Sequence, residues 1–517
     1  MPPVNTPQAA DSRRPLQIYL IAPRTPDSFW NMQGTLDAVG VKALMPSVAL
    51  STLISLTPPE VTVQYHYCDE NVSTIDWELA CDLVAISGFT LHAKRIAELF
   101  RKFGDRGIPV ALGGALATLD TELARPMADH LFVGEAEYTW PAFLKEFSAN
   151  RARPVYIQKN FVDINDSPPP DWTFINGKNY LYMAVQTARG CPNHCDFCDA
   201  VRLIGHKHRC KPIDQVITEV NSLYKAGCEV IFFSDDNFMV SQRYTKKLLQ
   251  RLIEWNTSLP HPVQFACQTD VRITDNETLL QLMADARFSA VFLGIESLRR
   301  ECLEEISKGH LYRPDMTSRI RRMAHYGLLP FIGLIVGFDA DDENTFDEIE
   351  LFLNEAGIPT VSISVLNAPE GTPLHERLLS SGRIDEQFAG VWHFSTNIVP
   401  LSGSRKEMLS RHRRLFLRLY EPGHFESRTL RWLRQVGYFP SIYIQKRRPG
   451  ANLLKIGRII RHYTFRVPAP VRRTFFSILY QTFRIDPQLV RKAITIMTQY
   501  CHYYTFVSDK SYRGVKH

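Results

Sequence analysis

Three cysteines, Cys191, Cys195 and Cys198, crowd into eight residues directly after Met183–Thr187, a stretch with the character of a short strand. The other seven cysteines are scattered along the chain, which therefore carries no disulfide framework. A Cys-x3-Cys-x2-Cys spacing places three thiolates on one short loop. A cubane iron–sulfur cluster usually takes four Cys ligands, so three leave one iron open for a ligand from outside the protein. Zinc would want a fourth close Cys or His. His194, His206, His208 and Cys210 stand near enough that spacing alone leaves zinc open. The position of the loop at the carboxyl end of a strand favours the open, catalytic arrangement.

Around this loop the sequence reads as two blocks of strand–helix alternation and a basic helical tail. In residues 183–400, strands are expected at Met183–Thr187, Val230–Ser234, Val263–Gln268, Ala290–Leu293, Phe331–Val336 and Val361–Leu366. Helical patterns at Ile213–Ala226, Arg243–Trp255, Glu277–Ala286, Arg313–His325 and Glu343–Glu355 fill the gaps. Six such units predict a partial (β/α)6 barrel with its chemistry at the carboxyl strand ends. Residues 16–150 also alternate, with strands at Leu16–Pro23, Val61–Tyr67, Leu83–Gly88, Val110–Gly113 and His130–Val133 and helix-like segments such as Ala93–Phe103. That pattern predicts a doubly wound, Rossmann-like parallel sheet whose ligand lies beyond the carboxyl ends of the strands. Residues 151–182, with Asp166-Ser167-Pro168-Pro169-Pro170, read as a linker. Residues 1–15 read as a disordered tail without a secretory signal. In the mostly helical residues 401–517, Leu453, Ile456, Ile460 and Tyr463 are placed on one helical face, and Val471, Phe475, Ile478 and Phe483 on another.

The net charge of +6 hides an asymmetry. Residues 401–517 hold 24 Lys and Arg against 5 Asp and Glu, whereas residues 1–400 hold 36 against 49. A tail with a net +19 attracts an anionic partner: a phosphorylated substrate, a membrane surface or nucleic acid. With 45% hydrophobic and 22% charged residues the chain fits a soluble protein. No run approaches the roughly 18 apolar residues of a membrane span. A cytoplasmic location is expected; the basic tail reads either as a solvated helical face or as a peripheral contact with the inner face of the membrane.

The segment Ala188-Arg189-Gly190-Cys191-Pro192-Asn193-His194-Cys195-Asp196-Phe197-Cys198-Asp199 resembles the signature loop of the radical S-adenosylmethionine (SAM) superfamily. The resemblance implies a [4Fe–4S] cluster on Cys191, Cys195 and Cys198 whose free iron is chelated by SAM, and one-electron cleavage of SAM to methionine and a 5′-deoxyadenosyl radical. Further motifs follow in family order. Ser234, Asp235 and Asp236 stand where the family usually carries Gly-Gly-Glu to hold the methionine amino group. Gln268 ends the third strand, and Gly294-Ile295-Glu296-Ser297 resembles the ribose or amino-acid contact. Gly333-Leu334-Ile335-Val336-Gly337 resembles the glycine motif beside the adenine, flanked by Val365 to Asn367. Taken singly, each also matches a satisfied strand-end polar group or a packing glycine; their order carries the reading.

Upstream, Leu112-Gly113-Gly114-Ala115-Leu116-Ala117-Thr118, followed by Val133-Gly134-Glu135-Ala136-Glu137, resembles the cobalamin-binding domain that precedes many of these barrels. That implies cobalamin contacts from Ser87, Gly88, Gly113, Gly114, Ala115, Gly134 and Glu135. A flavodoxin-like domain with ordinary turn glycines is the alternative. No Asp-x-His-x-x-Gly occurs; the turn after the first strand reads Pro23-Arg24-Thr25-Pro26-Asp27-Ser28-Phe29-Trp30. The resemblance then implies a cobalt without a protein His ligand. Pro369-Glu370-Gly371-Thr372-Pro373-Leu374, Ser381-Gly382-Arg383-Ile384 and Ser395-Thr396-Asn397-Ile398-Val399-Pro400 resemble the subgroup that includes hopanoid C-2 methylases.

Together these resemblances imply a cobalamin-dependent radical SAM C-methyltransferase. It would act on an unactivated carbon of a small-molecule, lipid or natural-product substrate and take electrons from a reductase such as flavodoxin or ferredoxin. An oxidative cyclase or rearranging enzyme uses the same cofactors and is the first alternative. A cobalamin-responsive nucleic-acid-binding regulator is the remote one, since no known binding motif accompanies the basic tail. A tRNA methylthiotransferase would carry a second cysteine trio, and only Cys68 and Cys81 precede the loop.

Overall fold

The computed structural model describes residues 14–385, 388, 394–401, 403–440 and 451–508. The chain divides into two compact units: Met1–Thr25 with Ser47–Phe174, and Pro26–Pro46 with Ile175–His517. The expected tail at 1–15 lies, up to residue 13, outside the described residues; Arg14 pairs with Asp82 at 2.5 Å.

The first unit is a sheet of six parallel strands: β1 (Leu16–Ala22), β2 (Val63–Asp69), β3 (Leu83–Ser87), β4 (Val110–Gly113), β5 (His130–Val133) and β6 (Val155–Ile157), in the order β2-β1-β3-β4-β5-β6. Both faces are covered, which is why these strands read as continuous apolar runs. Val84, Ile86 and Leu112 pack under the helix Ala93–Gly104, and Leu83, Ala85 and Ala111 under Thr139–Ser148. The order reverses between β1 and β3, which opens a crevice at their carboxyl ends. β6 falls inside the stretch expected to be a linker. Its Tyr156 is buried, stacks on Phe132 at 5.1 Å and donates to Glu146 at 2.5 Å. A three-residue strand is too short to show a period in sequence.

The second unit holds β7 (Met183–Val185), a two-residue antiparallel pair β8 (Ala188–Arg189) and β9 (Arg209–Cys210), then β10 (Val230–Phe233), β11 (Gln264–Asp270), β12 (Phe288–Glu296), β13 (Leu329–Val336) and β14 (Thr360–Val365). The six longer strands run parallel in chain order from β7 to β14, the open, partial (β/α)6 arrangement.

An open sheet leaves unpaired backbone groups along its outer strand, and the tail covers them. The Tyr420 hydroxyl accepts from Val361 N at 3.2 Å and donates to Val361 O at 2.8 Å, and His412 Nε2 donates to Ile363 O at 2.7 Å. The buried Arg428 donates to Ile358 O and Leu419 O. The helices Arg405–Leu419 and Pro422–Gln435 are thereby built into the barrel unit. Residues 26–46 also belong to this unit. Phe29 stacks on Tyr503 at 5.0 Å, and Thr35 Oγ1 donates to Thr498 O at 3.1 Å. Leu181 and Tyr182, just ahead of β7, donate to Ala43 O and Leu44 O.

Two tail residues face the other way from expectation. Ile460 and Phe483 point outward, while Ile459 and Thr482 take the buried positions beside Tyr463 and Ile478. The side chain of Leu453 lies outside the described residues.

Tyr420→Phe strands both backbone groups of Val361, a cost of about 1–3 kcal/mol for buried unsatisfied groups. A chemical denaturation midpoint lowered relative to the parent protein is the expected result.

Candidate functional site

The cysteine loop starts from a turn held by one buried carboxylate. Asp235, 2% exposed at the end of β10, accepts from Thr187 N at 2.6 Å, from Ala188 N at 3.1 Å and from the Thr187 hydroxyl. Burial raises its pKa to about 6 against the pull of these donors. β8 and β9 then bracket the loop, and Cys191 N donates to Gly205 O at 3.1 Å. Gly190 sits at φ +99°, where a Cβ would run into the Lys207 carbonyl, so only glycine fits without displacing the loop. Beyond the turn, Asp196 N donates to Ile306 O at 3.1 Å and Asp196 O accepts from Leu374 N at 3.0 Å. Phe197 packs on a buried cluster that includes Cys302, Ile306, Leu374 and Leu378. Arg377 pairs with Asp196 at 3.1 Å, and Arg202 donates to Glu370 O at 2.6 Å. The Pro369–Leu374 motif thus braces the cysteine loop.

Electrostatics bring the ends of β10, β11 and β12 to the same place. Burial pushes the Cys195 thiol up to about 11 and Cys198 to about 12, and raises Cys191 as well. The charges acting on Cys191 are Asp236, Asp270 and Arg272; those on Cys195 are Lys308, Glu296 and Asp270; Cys198 feels Cys195, Asp199 and Cys191. Burial likewise raises Asp236 to about 6. Burial works against the Asp270 carboxylate too, but the Arg272 guanidinium, bonded at 2.5 Å, holds it below its usual range. Asn237 donates to Asp270 at 2.6 Å and accepts from Thr269 at 2.9 Å. β12 ends in a register shift at Gly294 and Glu296, with Glu296 at φ +63°. There Lys308 Nζ meets Glu296 Oε1 at 2.5 Å and Gly294 O at 3.1 Å.

The donor set fits an iron–sulfur cluster. Among the described residues no three His, Cys, Asp or Glu groups converge on one ion position, and a cubane does not ask them to, because each thiolate binds its own iron. The histidines nearby are engaged elsewhere: His194 stacks on His206 at 4.3 Å, and His208 Nδ1 lies 3.3 Å from Cys210 Sγ.

Not every expected SAM residue offers a free group. The carboxylate of Asp235 is occupied by the turn, and Ser234 bonds to Val185 O. Gln268 O accepts from Phe238 N at 3.0 Å. Gly333 lies against Phe292; Gly337, whose N donates to Asp341 at 2.7 Å, lies beside Met408 and the buried Val365. Cys191, Cys195, Cys198, Asp236 and Glu296 share one electrostatic neighbourhood.

In the first unit the expected turns gather at the carboxyl ends of β3, β4 and β5. Gly114 has φ +89°, and a Cβ there would lie 2.7 Å from Ser87 Oγ. Gly88 N donates to Gly113 O at 3.3 Å, and Ala115 opens the short helix Ala115–Leu119. Thr118 Oγ1 accepts from Gly134 N at 3.0 Å and donates to Gly114 O at 3.1 Å, tying two turns together. Glu135 accepts from Val162 N at 2.7 Å, a structural engagement. These turns present backbone and small side chains, a surface that suits a large planar ligand.

Residues 185–353 match the model of the radical SAM superfamily, and residues 372–513 match a domain of unknown function, DUF4070. An uncharacterized methyltransferase of Synechocystis sp. is 30% identical over 429 residues, 82% of this chain and 79% of that protein. The chain belongs to the same methyltransferase family as that protein, with a radical SAM domain at its centre. The hopanoid C-2 methylase of Rhodopseudomonas palustris is 29% identical over 376 residues, 71% of each chain. The solved structure of OxsB, a cobalamin-dependent SAM radical enzyme with aqua-cobalamin and SAM bound, shares the fold. It has a TM-score of 0.62 at 13% identity and covers 97% of this chain and 81% of that one.

Sequence reasoning missed two residues of this methyltransferase. Lys308 lies twelve positions past Glu296 with no local signal. His92 sits at the crevice of the first unit. Its Nδ1 accepts from Phe89 N at 3.1 Å, and its Nε2 meets Thr25 Oγ1 at 3.3 Å. Thr25 N in turn donates to Asn71 at 2.9 Å. The imidazole therefore pins the turns after β1 and β3. Burial pulls its pKa from 6.5 to about 4. A base whose pKa is depressed by folding contributes stability that is complete above 6.5 and lost as the pH falls toward 4. Across that window the parent protein should lose stability more steeply than His92→Gln, by up to about 1.4 kcal/mol per pH unit, as read from denaturation midpoints.

Proposed function

We propose that this enzyme methylates an unactivated carbon of a small-molecule substrate with an apolar body, using a [4Fe–4S] cluster, SAM and cobalamin. The observation that carries the reading is the trio of half-buried thiols on one loop, with Asp236 and Asp270 acting on Cys191, and Glu296 and Asp270 on Cys195. Bound there, the cluster would pass an electron from an external reductase to SAM, cleaving it to a 5′-deoxyadenosyl radical, and cobalamin would supply the methyl group.

The chain's own residues bind, orient and exclude water. Cys191, Cys195 and Cys198 hold the cluster, and Phe197 and Asp196 keep their loop in register. Asp236, half-buried and raised to about 6, is placed to receive the methionine amino group. Lys308 fixes Glu296, which then offers its second oxygen to the ribose or amino acid of SAM. In the first unit, Ser87, Gly88, Gly113, Gly114, Ala115 and Gly134 give cobalamin a surface free of bulky side chains. Along β12, Phe292 lies two positions before Gly294 and so on the same face. It packs on Phe331 at 5.3 Å, and Trp30 approaches both rings, at 6.0 and 5.7 Å. That apolar wall supports a hydrophobic substrate.

Full-length protein, reconstituted anaerobically with all three cofactors, supplied with a low-potential reductant and given extract from cells lacking it, tests the reading. One methylated product, one 5′-deoxyadenosine and one S-adenosylhomocysteine per turnover are expected. 5′-Deoxyadenosine with a product that has lost hydrogen, and no S-adenosylhomocysteine, would assign an oxidative cyclase instead. Lys308→Met leaves the partly buried Glu296 carboxylate without its cation, a loss of about 1–3 kcal/mol. A lower melting temperature and weaker SAM binding are expected, and unchanged SAM affinity removes Glu296 from the site.

A further inference from the structure

The helix Ala469–Ile485 carries two stripes. Val471, Phe475, Ile478 and Thr482 face the core. On the opposite side Phe476, Tyr480 and Phe483 are 42%, 65% and 63% exposed, at the i, i+4, i+7 spacing of a single helical face. At the end of the preceding helix, Ala451–Phe465, Phe465 is 79% exposed. Scattered surface apolar residues are ordinary, but three large aromatics on one helical stripe mark an interaction surface.

The charge around this stripe has one sign. From residue 451 to 485 the chain has seven Lys and Arg and no Asp or Glu. Three of the seven are committed within the fold: Lys455 to Glu229 at 2.6 Å, Arg458 to Gly40 O at 3.1 Å and Arg472 to Thr464 O at 2.8 Å. Arg461, Arg466, Arg473 and Arg484 are exposed, and none has a carboxylate partner among the described residues. The carboxylates on the neighbouring elements are engaged: Glu426 accepts from Ser477 at 2.6 Å and Gln481 at 2.7 Å, and Asp486 caps the next turn through Gln488 N at 2.8 Å.

We propose that this face docks the enzyme on an anionic lipid surface. The helix lies in the plane of the interface with Phe476 and Phe483 at the acyl boundary, Tyr480 at headgroup depth and the four arginines on lipid phosphates. Among the described residues no helix is long and apolar enough to cross a membrane, so the contact is peripheral. The other side of the helix is packed through Val471, Phe475 and Ile478. Uniform positive charge selects a dispersed anionic surface over a neutral protein partner. The inference stands apart from the methylation reading.

Co-sedimentation of the full-length reconstituted enzyme with phosphatidylcholine vesicles, with and without phosphatidylglycerol, tests it. Binding at least about tenfold stronger to the anionic vesicles is expected, falling with salt. Serine at Arg461, Arg466, Arg473 and Arg484 should weaken it by roughly fivefold for each arginine removed. Tyr480→Ser and Phe483→Ser together should lower it by about tenfold or more, with little change in melting temperature because these side chains are 65% and 63% exposed. A single Arg473→Glu variant gives the same direction with little demand on folding. Three outcomes overturn the proposal: equal binding by parent and variants, self-association lost in the serine variants without vesicle binding, or retention on RNA but not on vesicles.

Discussion

A carboxylate denied water must be met by donors, and in this chain the donors of Asp235 are the residues that launch the cysteine loop. The second long strand of the barrel sheet is thereby locked to the turn after the first. Everything that follows, from the small β8–β9 pair to the seat of Phe197, inherits its position from that turn. Asp235 stands at the end of β10, where the family resemblance would place a SAM contact. Its occupied oxygens make it a positioning residue, and Asp236 beside it is the carboxylate left to face the thiols.

Holding three thiols half-buried beside carboxylates raises the cost of ionising each of them, as the values near 11 and 12 for Cys195 and Cys198 express. A metal cluster changes that balance, because its iron replaces the proton on each sulfur. The loop is braced beforehand by contacts from residues 306, 370, 374 and 377, so cluster binding need not organise the fold around it. Lys308 plays the matching part for Glu296 at the end of β12.

Much of the architecture was legible because buried parallel strands are apolar on both faces, and their runs stand out between amphipathic helices. The five strands expected in the first unit and the six in the second fall within a few residues of their positions. β6 was not legible, since three residues show no period. The allegiance of residues 26–46 to the barrel unit rests on Phe29 and Thr35 meeting a helix more than 450 positions later. The tail was expected to be a separate domain, but Tyr420, His412 and Arg428 cap the exposed edge of β14, a long-range service that no local pattern announces. Phe483 was placed inward by hydrophobicity, whereas the helical period gives that position to Thr482. At the site, spacing singles out the cysteines and family order singles out Asp236 and Glu296 as candidates, and the fold sets charges from both beside the thiols. Lys308 and His92 act through contacts that only folding creates.

The most direct measurement is the metal content and paramagnetic spectrum of anaerobically reconstituted protein, with and without SAM. About four irons and four sulfides per chain, with a reduced-cluster signal that shifts when SAM is added and is lost when the three loop cysteines become alanine, is the predicted result. One zinc per chain, or a cluster whose signal ignores SAM, would contradict the account.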